Sequence, residues 1–322
     1  MGPLKFVPIL KRLRWGGRRL GELLGKSIGP HADYAESWEI CDCGTDCSTV
    51  ETGPWQRWDL RDLIRELPRD MLGRHAGLDR FPLLVKFLDA HDRLSVQVHP
   101  DDTQAATLAP GQRGKTEAWV IVEAAAGSHI FAGLKSSVDR PTLERALTEG
   151  TLEQCLARHE VAPGDCFFIP AGTVHAVGAG IVLAEVQQSS DVTFRLFDWN
   201  RTGVDGRPRP LHVQQALSCI DFKRGPVSKI FRKGIPAATD GTDDVVICPF
   251  FTLRRHDLVT SKTIVADDRC HILICLDGEW ECGGHDESHK LAPGSAVLAP
   301  ASSLPVQIAP QGRGTILEVV WD

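Results

Sequence analysis

Residues 164–175 read Gly-Asp-Cys-Phe-Phe-Ile-Pro-Ala-Gly-Thr-Val-His, and this stretch decides the fold. A glycine turn precedes a short apolar run, and a proline ends the run before a second glycine and a histidine. Residues 294–302 repeat the turn, the apolar run and the proline as Gly-Ser-Ala-Val-Leu-Ala-Pro-Ala-Ser. Both segments follow an Ala-Pro pair. The repeat predicts two related β domains, of which only the first carries a histidine after this strand.

Outward from this motif, most of the chain is typical of short strands separated by glycine and proline turns. Several short strands with regular turns predict a β-sandwich or barrel. The predicted strands are Leu83–Leu88, Leu94–His99, Ala118–Glu123, Cys166–Pro170, Ile181–Gln187, Thr193–Trp199, Cys270–Leu276 and Ala296–Pro300.

Helical spacing of apolar residues interrupts the strands in three places. Residues 58–75 predict an amphipathic helix that Pro68 stops. A second helix is expected after Asp139, a good N-cap, with proline in its first turn. Leu152 to Leu156 predict a further short helix. Residues 1–35 are expected to be rich in loops, and residues 200–240 are expected to form a connection.

One strand presents a row of polar side chains. Residues 95–99 read Ser-Val-Gln-Val-His, and strict alternation places Ser95, Gln97 and His99 on one strand face. A polar cavity would suit such a face. For this segment taken alone, a solvent-exposed strand face is the alternative.

Two further segments add metal-ligating side chains. Residues 114–117 read Gly-Lys-Thr-Glu, which places Lys115 and Glu117 on one face, and His175 ends the opening motif. Two imidazoles and a carboxylate from separate strands predict an open zinc site, with a position left for water or substrate. Gln97 could add an oxygen ligand.

The composition is that of a mildly acidic globular chain. Thirty-six basic and 42 acidic side chains give a formal charge of −6, without a basic block for nucleic acid. No apolar run approaches a membrane span, and the first eight residues, with two prolines, lack a signal-peptide core. We therefore expect a cytoplasmic protein without nucleic-acid or membrane partners.

The ten cysteines raise the alternative of a disulfide framework. Disulfide-dense chains are usually small and secreted, so reduced thiols are the better prediction. Cys41, Cys43 and Cys47 could form part of a metal site, but the usual C-x2-C spacing is absent. We expect ten free thiols, none of them bound to the metal.

With these segments combined, the chain resembles the shorter bacterial form of the type I mannose-6-phosphate isomerases. The Gly-x5-Pro-x-Gly-x2-His pattern of residues 164–175 is the second motif of the cupin superfamily. Other matching segments follow in the family's order: Trp15-Gly16-Gly17, Glu36–Ile40, Pro82–Ala90, Leu94–Asp102, Gly114–Glu117 and Ser190–Arg195. Residues 235–322 match only as a second, degraded β-barrel.

The resemblance implies a mainly β fold of two cupin-like (jelly-roll) β-barrel domains with a few added helices. The expected division is a catalytic domain with helical insertions over residues 1–235 and a degenerate domain without metal ligands over residues 236–322. The expected assembly is a monomer or a homodimer.

The resemblance also implies roles for individual residues. The zinc ligands are His99, Glu117 and His175, with one Zn²⁺ per chain. Catalytic roles fall to Arg195, Lys115 and Glu185, and substrate contacts to Lys86, Ser95 and Gln97. Longer members follow the arginine with a Thr-Pro-Lys element, which is absent here, and Arg201 is the candidate substitute.

The implied reaction interconverts mannose 6-phosphate and fructose 6-phosphate through a cis-enediol, with the sugar phosphate as partner. A Lewis acid near the sugar oxygens would stabilise the enediolate charge, and a base would move the proton between C2 and C1. Lys115, Glu185 and a zinc-bound hydroxide all remain candidates for that base. Arg195 could stabilise the enediolate or hold the phosphate, and Lys86 is a second phosphate candidate.

Two other functions fit part of the same pattern. A bicupin oxygenase would use iron at a His/His/Glu site, and a sugar-binding cupin would perform no chemistry. Lys115 and Arg195 near the metal favour an anionic sugar phosphate over an oxygenase substrate.

Overall fold

The computed structural model describes residues 1–202, 206–230, 239–284 and 287–321. Within these ranges, the α-helices are α1 Arg19–Glu22, α2 Leu60–Glu66, α3 Pro68–Leu72, α4 Asp102–Leu108, α5 Arg140–Glu149 and α6 Val213–Cys219. Short 3₁₀ helices span Gly73–His75, Leu152–Cys155 and Ala301–Ser303.

Strands dominate the structure, which confirms the predicted mainly β fold. In the first part of the chain they are β1 Leu4–Lys5, β2 Ile9–Gly17, β3 Tyr34–Ile40, β4 Asp42–Cys43, β5 Asp46–Cys47, β6 Leu83–Ala90, β7 Val96–Val98, β8 Glu117–Ala124, β9 His129–Leu134, β10 Leu156–Glu160, β11 Cys166–Ile169, β12 His175–Val177, β13 Ile181–Gln188 and β14 Phe194–Phe197. In the second part they are β15 Gly241–Ile247, β16 Thr252–Leu258, β17 Lys262–Ile264, β18 His271–Asp277, β19 Trp280–Gly283, β20 Ser288–Leu291, β21 Ala296–Ala299, β22 Val306–Pro310 and β23 Gly314–Val320.

The strands form two pairs of larger sheets. In the first pair, a six-stranded sheet has the order β11-β8-β13-β6-β3-β2 and a five-stranded sheet has the order β10-β9-β12-β7-β14. In the second pair, the orders are β1-β21-β18-β23-β16-β15 and β17-β22-β19-β20. A small two-stranded sheet joins β4 and β5. Each pair encloses an apolar core of its own, with Trp119 and Phe167 in the first and Trp280 and Ile316 in the second.

The two six-stranded sheets share one hydrophobic core. Val85 and Phe87 from the first sheet belong to the same buried cluster as Ile272, Leu298 and Val319 from the second. Since none of these side chains is more than 1% exposed, each sheet shields the other from water.

The two halves are also joined by the start of the chain. Strand β1 pairs antiparallel with β21, and Leu4 lies opposite Leu298. The amino-terminal strand therefore lies in the sheet of the second half. The expected domain boundary between residues 235 and 236 lies outside the described residues.

The sequence repeat corresponds to a repeat of strand pairing. In the first half Ile169 of β11 lies opposite Glu117 of β8, and in the second half Ala299 of β21 lies opposite His271 of β18. The sheet orders match strand by strand from β11 to β3 and from β21 to β15. The prediction of two related β units is confirmed at this level.

The eight predicted strands are all present, with ends shifted by up to two residues. The predicted helix over residues 58–75 is divided, because Pro68 ends α2 and begins α3, where its missing N–H costs nothing. Asp139 caps α5 as expected and accepts a hydrogen bond from the Thr142 N–H at 2.9 Å. The short helix at residue 152 is 3₁₀.

The expectation that residues 1–35 are rich in loops is only partly correct, because β1, β2, α1 and the start of β3 lie among them. Residues 9–17 form β2 on the edge of the first sheet, where Ile9 lies opposite Trp38. Gly16 permits this close packing, since a Cβ there would lie 2.5 Å from the Ala35 nitrogen. The helices α1, α4 and α6 were not predicted, and α6 lies in the expected connection.

Candidate active site

Three neighbouring strands of the five-stranded sheet align the site. Gln97 on β7 lies opposite His175 on β12 and, on its other side, opposite Arg195 on β14. His99 follows directly after β7. Glu117 begins β8 in the facing six-stranded sheet. Residues far apart in the sequence therefore converge between the two sheets.

His99, Glu117 and His175 form a compact cluster of metal-ligating groups. One ligand atom from each residue lies within 4.8 Å of the others, and each residue is about 1% exposed. The Nε2 atoms of His99 and His175 lie 3.6 and 3.4 Å from the Glu117 carboxylate. This is the only such group of three His, Cys, Asp or Glu residues in the part of the chain that the structure describes.

Backbone carbonyls fix the orientation of both imidazoles. The Nδ1 atoms lie 2.8 Å from the Val192 carbonyl oxygen in His99 and 2.9 Å from the Thr173 carbonyl oxygen in His175. Because a carbonyl only accepts, the hydrogen-bond network assigns the proton to Nδ1 and leaves Nε2 as a lone-pair donor.

Burial keeps these imidazoles neutral. Together with the Lys115 charge, it holds the pKa of His99 well below its usual range. Burial also lowers the pKa of His175 to about 4, against the opposing effect of the Thr173 carbonyl. Neutral imidazoles are the form that binds a metal.

A chain of buried charges lies beside the cluster. Lys115 Nζ is 2.8 Å from Glu117 Oε2 and 3.8 Å from Glu185 Oε1, and Lys86 Nζ is 3.1 Å from the same Glu185 oxygen. Lys86 also contacts Glu36 at 3.2 Å. Two lysines and three carboxylates thus form one network. Within it, Glu185 of β13 lies directly opposite Lys86 of the neighbouring strand β6.

The network shifts the pKa values of its members. Burial and the Glu117 charge raise the pKa of Glu185 despite the nearby lysines. Burial alone would lower the pKa of Lys86, but the charges of Glu185 and Glu36 raise it above its usual value. Burial alone would raise the pKa of Glu36, but the charge of Lys86 lowers it below its usual value. Lys86 is therefore a fixed cation and Glu36 a fixed anion.

The network opens on a cavity of about 310 Å³ between the two sheets of the first pair. Lys86, Lys115 and Glu185 line it together with Ser95, Gln97 and Arg195. This volume is at the lower end of the range for small-molecule sites. The metal cluster and the cavity together bring together all nine residues predicted from the sequence.

Ser95 and Gln97 connect the cavity to the metal cluster. Ser95 Oγ donates to Gln97 Oε1 at 3.2 Å, and Gln97 Nε2 lies 3.2 Å from His175 Nε2. The predicted polar face of β7 is therefore directed at the site.

Several cavity residues were not singled out from the sequence as site residues: Glu36, Asp191, Thr193 and Arg209. Glu36, Asp191 and Thr193 lie in segments that carry the family resemblance, which is the sequence signal for their place in the site. Arg209 lies 14 residues beyond Arg195, and no local pattern indicates that it faces the same cavity.

A second buried charge cluster lies between the sheets of the second half. Glu318 accepts from His271 Nδ1 at 2.6 Å, from His256 Nε2 at 2.8 Å and from Arg254 Nη1 at 3.1 Å. The strand registers of the two six-stranded sheets can be aligned through the repeat. In that alignment His271 is equivalent to Glu117. Glu318 is equivalent to Glu185, and Arg254 is equivalent to Lys86. The repeat therefore keeps charged positions in both halves, with different residues.

All ten cysteines are unpaired, as predicted. The metal-ligating cluster contains no sulfur. Burial raises the pKa of all ten thiols, to about 12 for Cys166 and Cys282. The eight buried cysteines are small apolar core groups. No helix in the described ranges combines the length and apolarity of a membrane span.

The paired sheets and the His-Glu-His cluster between them define a cupin-type enzyme with a candidate metal centre. Residues 4–129 match the model of the type I phosphomannose isomerase catalytic domain, and residues 242–320 match that of the mannose-6-phosphate isomerase cupin domain. A mannose-6-phosphate isomerase of Bacillus subtilis is 32% identical over 299 residues, covering 92% of this chain and 93% of the relative. The chain belongs to the type I mannose-6-phosphate isomerase family.

One solved structure supports the same assignment, and a second shows the same fold. The crystal structure of mannose 6-phosphate isomerase from Bacillus subtilis aligns with a TM-score of 0.86 and 28% identity over 99% of both chains. A mannose 6-phosphate isomerase bound with zinc and yttrium shares the fold, with a TM-score of 0.76 and 19% identity over 99% of both chains. The prediction of an isomerase of this family is confirmed.

Proposed function

We propose that this chain is a zinc-dependent isomerase that interconverts mannose 6-phosphate and fructose 6-phosphate through a cis-enediol. One observation carries the proposal. The buried His99, Glu117 and His175 cluster adjoins a cavity that also holds Glu185 between two lysines. An aldose–ketose conversion needs both an electrophilic centre and a proton-transfer group beside it.

The residues fit a divalent metal. Both carboxylate oxygens of Glu117 are buried without an aligned hydrogen-bond donor, although Lys115 forms an ion pair with one of them. A bound cation would neutralise this carboxylate and use the two Nε2 lone pairs. Two imidazoles and one carboxylate suit zinc, and the relative bound with zinc and yttrium supports that choice.

When bound, the metal would polarise the sugar oxygens at C1 and C2 and stabilise negative charge on them. The chain's own residues would perform the proton transfer. We assign Glu185 as the base, because its buried Oε1 has no aligned hydrogen-bond donor and belongs to a cavity-lining side chain. Glu185 would take the proton from C2 of the aldose and return it to C1 of the enediol, which gives the ketose.

Lys115 would move the oxygen-bound proton. It would donate a proton to O1 as the C2–H bond breaks, and take one from the O2 hydroxyl as the C1–H bond forms. The proton count therefore closes over one turnover. Lys86 would hold Glu185 in place through its 3.1 Å contact, and Ser95 and Gln97 would bind sugar hydroxyls.

We further propose that the catalytic residues belong to a unit within residues 1–235, and that residues 236–322 supply no metal ligand. The second six-stranded sheet would then serve to cover the first, with which it shares a core.

The test is turnover of mannose 6-phosphate in a linked assay, before and after chelation and with zinc added back. We expect activity to disappear with the chelator and to return with zinc. Metal content provides a second readout. His175→Ala should bind less than one zinc per chain, whereas His129→Ala, which changes a partly exposed histidine outside the cluster, should bind zinc normally. A zinc-loaded wild type without turnover would overturn the proposed function.

A further inference from the structure

The cations around the cavity differ in their partners. Lys86 and Lys115 each contact carboxylates within 4 Å. Arg195 has no carboxylate at ion-pair distance among the described residues, and its Nε is buried without a hydrogen-bond partner. Its Nη1 donates to the Pro210 carbonyl at 2.9 Å, which holds the guanidinium in place. Arg195 is thus a cation held in place by one hydrogen bond, with an Nε–H group that can still donate to a ligand.

Arg209 is the second guanidinium of this cavity wall. Asp198 contacts it through two hydrogen bonds, of which the one from Nε to Oδ2 is 2.8 Å long. Asp198 is itself only 4% exposed and also accepts from Arg201 at 2.7 Å. Asp198 is therefore shared by two arginines, and Asp92 also pairs with Arg201. With Arg195 included, the three arginines and two aspartates have a net charge of +1, which is the charge of Arg195 itself.

Arg201, which follows Arg195 by six residues, is bound elsewhere. Its Nη1 donates to Asp92 at 2.8 Å and to the Arg93 carbonyl at 2.6 Å. Its side chain is not part of the cavity wall. The sequence-based choice of Arg201 as the second substrate cation is therefore not favoured by the geometry.

We propose that Arg195 and Arg209 together bind the phosphate of the sugar-phosphate substrate, and that Asp198 is a positioning residue that holds Arg209. The inference rests on the proposed function and adds the residue that selects phosphorylated sugars. Paired guanidiniums suit a phosphate dianion, because their N–H groups form parallel charge-assisted hydrogen bonds.

The register of the strands places this subsite away from the metal cluster. Arg195, Gln97 and His175 occupy one row across three adjacent strands. Two strand spacings separate the backbone of Arg195 from that of His175 by about 10 Å. A substrate bound with its phosphate at the arginines would direct its other end, C1 and C2, toward Glu117 and Glu185.

The test measures binding of inorganic phosphate to the zinc-loaded protein by calorimetry, together with kcat and KM for mannose 6-phosphate. We expect Arg209→Met to raise the phosphate Kd about tenfold to a hundredfold. We also expect KM to rise by a larger factor than kcat falls. Arg209→Lys, which keeps the charge, should recover part of the phosphate affinity.

Arg201→Met is the matched control, because Arg201 also binds Asp198 but does not line the cavity. It should lower the melting temperature and leave the phosphate Kd within about threefold. Equal weakening by Arg201→Met and Arg209→Met would overturn the proposal, since the effect would then act through Asp198 alone. An unchanged phosphate Kd in Arg209→Met would also overturn it. If Arg209→Met does not fold, as judged by circular dichroism, Arg209→Lys is compared with Arg201→Lys.

Failure of the subsite can be distinguished from failure of the proposed function. A wild type that binds phosphate through Arg209 but does not isomerise mannose 6-phosphate keeps the subsite and loses the function. A wild type that isomerises the sugar but whose phosphate affinity does not depend on Arg209 keeps the function and loses the subsite.

Discussion

Replacing Glu318 by glutamine is expected to lower the free energy of unfolding by about 3 kcal/mol at pH 7. Glu318 is 3% exposed and accepts hydrogen bonds from His256, His271 and Arg254. Removing one partner of a buried ion pair typically costs about 3–5 kcal/mol. The NH₂ group of a glutamine would also face one of the N–H donors that now bind the carboxylate. Two donors would then lie opposite each other without an acceptor.

Thr242 sets the expected magnitude at the lower end of that range. Its hydroxyl lies 2.9 Å from His256 Nδ1 and can donate or accept. His256 could therefore change tautomer and accept from the new amide at Nε2. Arg254 would still lose its charged partner Glu318, although Asp244 remains at 2.6 Å.

The effect should depend on pH. Burial favours the neutral acid, but hydrogen bonds from His256 and His271 hold the pKa of Glu318 well below its usual value. Because the folded pKa lies below the unfolded value of about 4.3, this contribution to stability is present above that value and is lost as the pH falls through the folded pKa. The gap between wild type and variant should be constant above about pH 5 and narrow below about pH 4.

Urea denaturation followed by tryptophan fluorescence, at several pH values, provides the measurement. Glu160→Gln is the control, since Glu160 is 76% exposed in its ion pair with Arg158, and it should not change the midpoint. Turnover by Glu318→Gln at 25 °C should equal that of the wild type, because Glu318 lies outside the cavity of the first half. A loss below about 1 kcal/mol, or a gap unchanged down to pH 3, would refute the reasoning.

Three further predictions concern folding and thiol chemistry. Asp139→Ala removes the N-cap of α5 and should cost about 1 kcal/mol in urea denaturation, with unchanged turnover. Leu4→Ala should cost about 2–5 kcal/mol, because Leu4 is buried in the core shared by both halves, whereas Val7→Ala at a 49% exposed position should cost far less. In the native protein a thiol reagent should react quickly with Cys47 and Cys248 at most, since the other eight cysteines are buried. Ten fast-reacting thiols in the native state would contradict the structure.

The metal cluster could be predicted from the sequence because local rules determine each of its members. Strand alternation before Pro100 directs His99 to the same face as Gln97, and the Pro-Gly turn places His175 at the start of a strand. The family resemblance implies that these histidines bind the same metal ion. Strand pairing, a long-range property, brings Glu117 to the same point from the other sheet.

Long-range contacts are also the reason for the errors. Residues 9–17 contain three basic side chains and two glycines, and their local composition predicts a loop. They form a strand because the edge of β3 supplies backbone partners. In the same way, no spacing rule distinguishes Arg201 from Arg209. The choice depends on which guanidinium Asp92 and the Arg93 carbonyl bind.

Among the described residues, the His-Glu-His cluster forms in the first half alone, and the repeat indicates why. There, Glu117 comes from the six-stranded sheet, and the two histidines come from β12 and the end of β7 in the facing sheet. In the second half, the facing sheet contributes apolar side chains such as Ile264, Val306 and Ile308 to the core.

The charged positions of the second half are satisfied by neighbouring strands of their own sheet and by Asp267, whose Oδ1 lies 3.0 Å from His271 Nε2. His256, His271 and Arg254 accordingly donate to Glu318. The same ladder position therefore has a catalytic assignment at Glu185 and a structural one at Glu318. What separates the two roles is the facing sheet, where Val306 is buried in an apolar cluster. A histidine introduced at Val306 alone would be buried among apolar side chains, while Glu318 already accepts from three donors. It should destabilise the second half without creating a zinc site, which metal analysis of Val306→His would show.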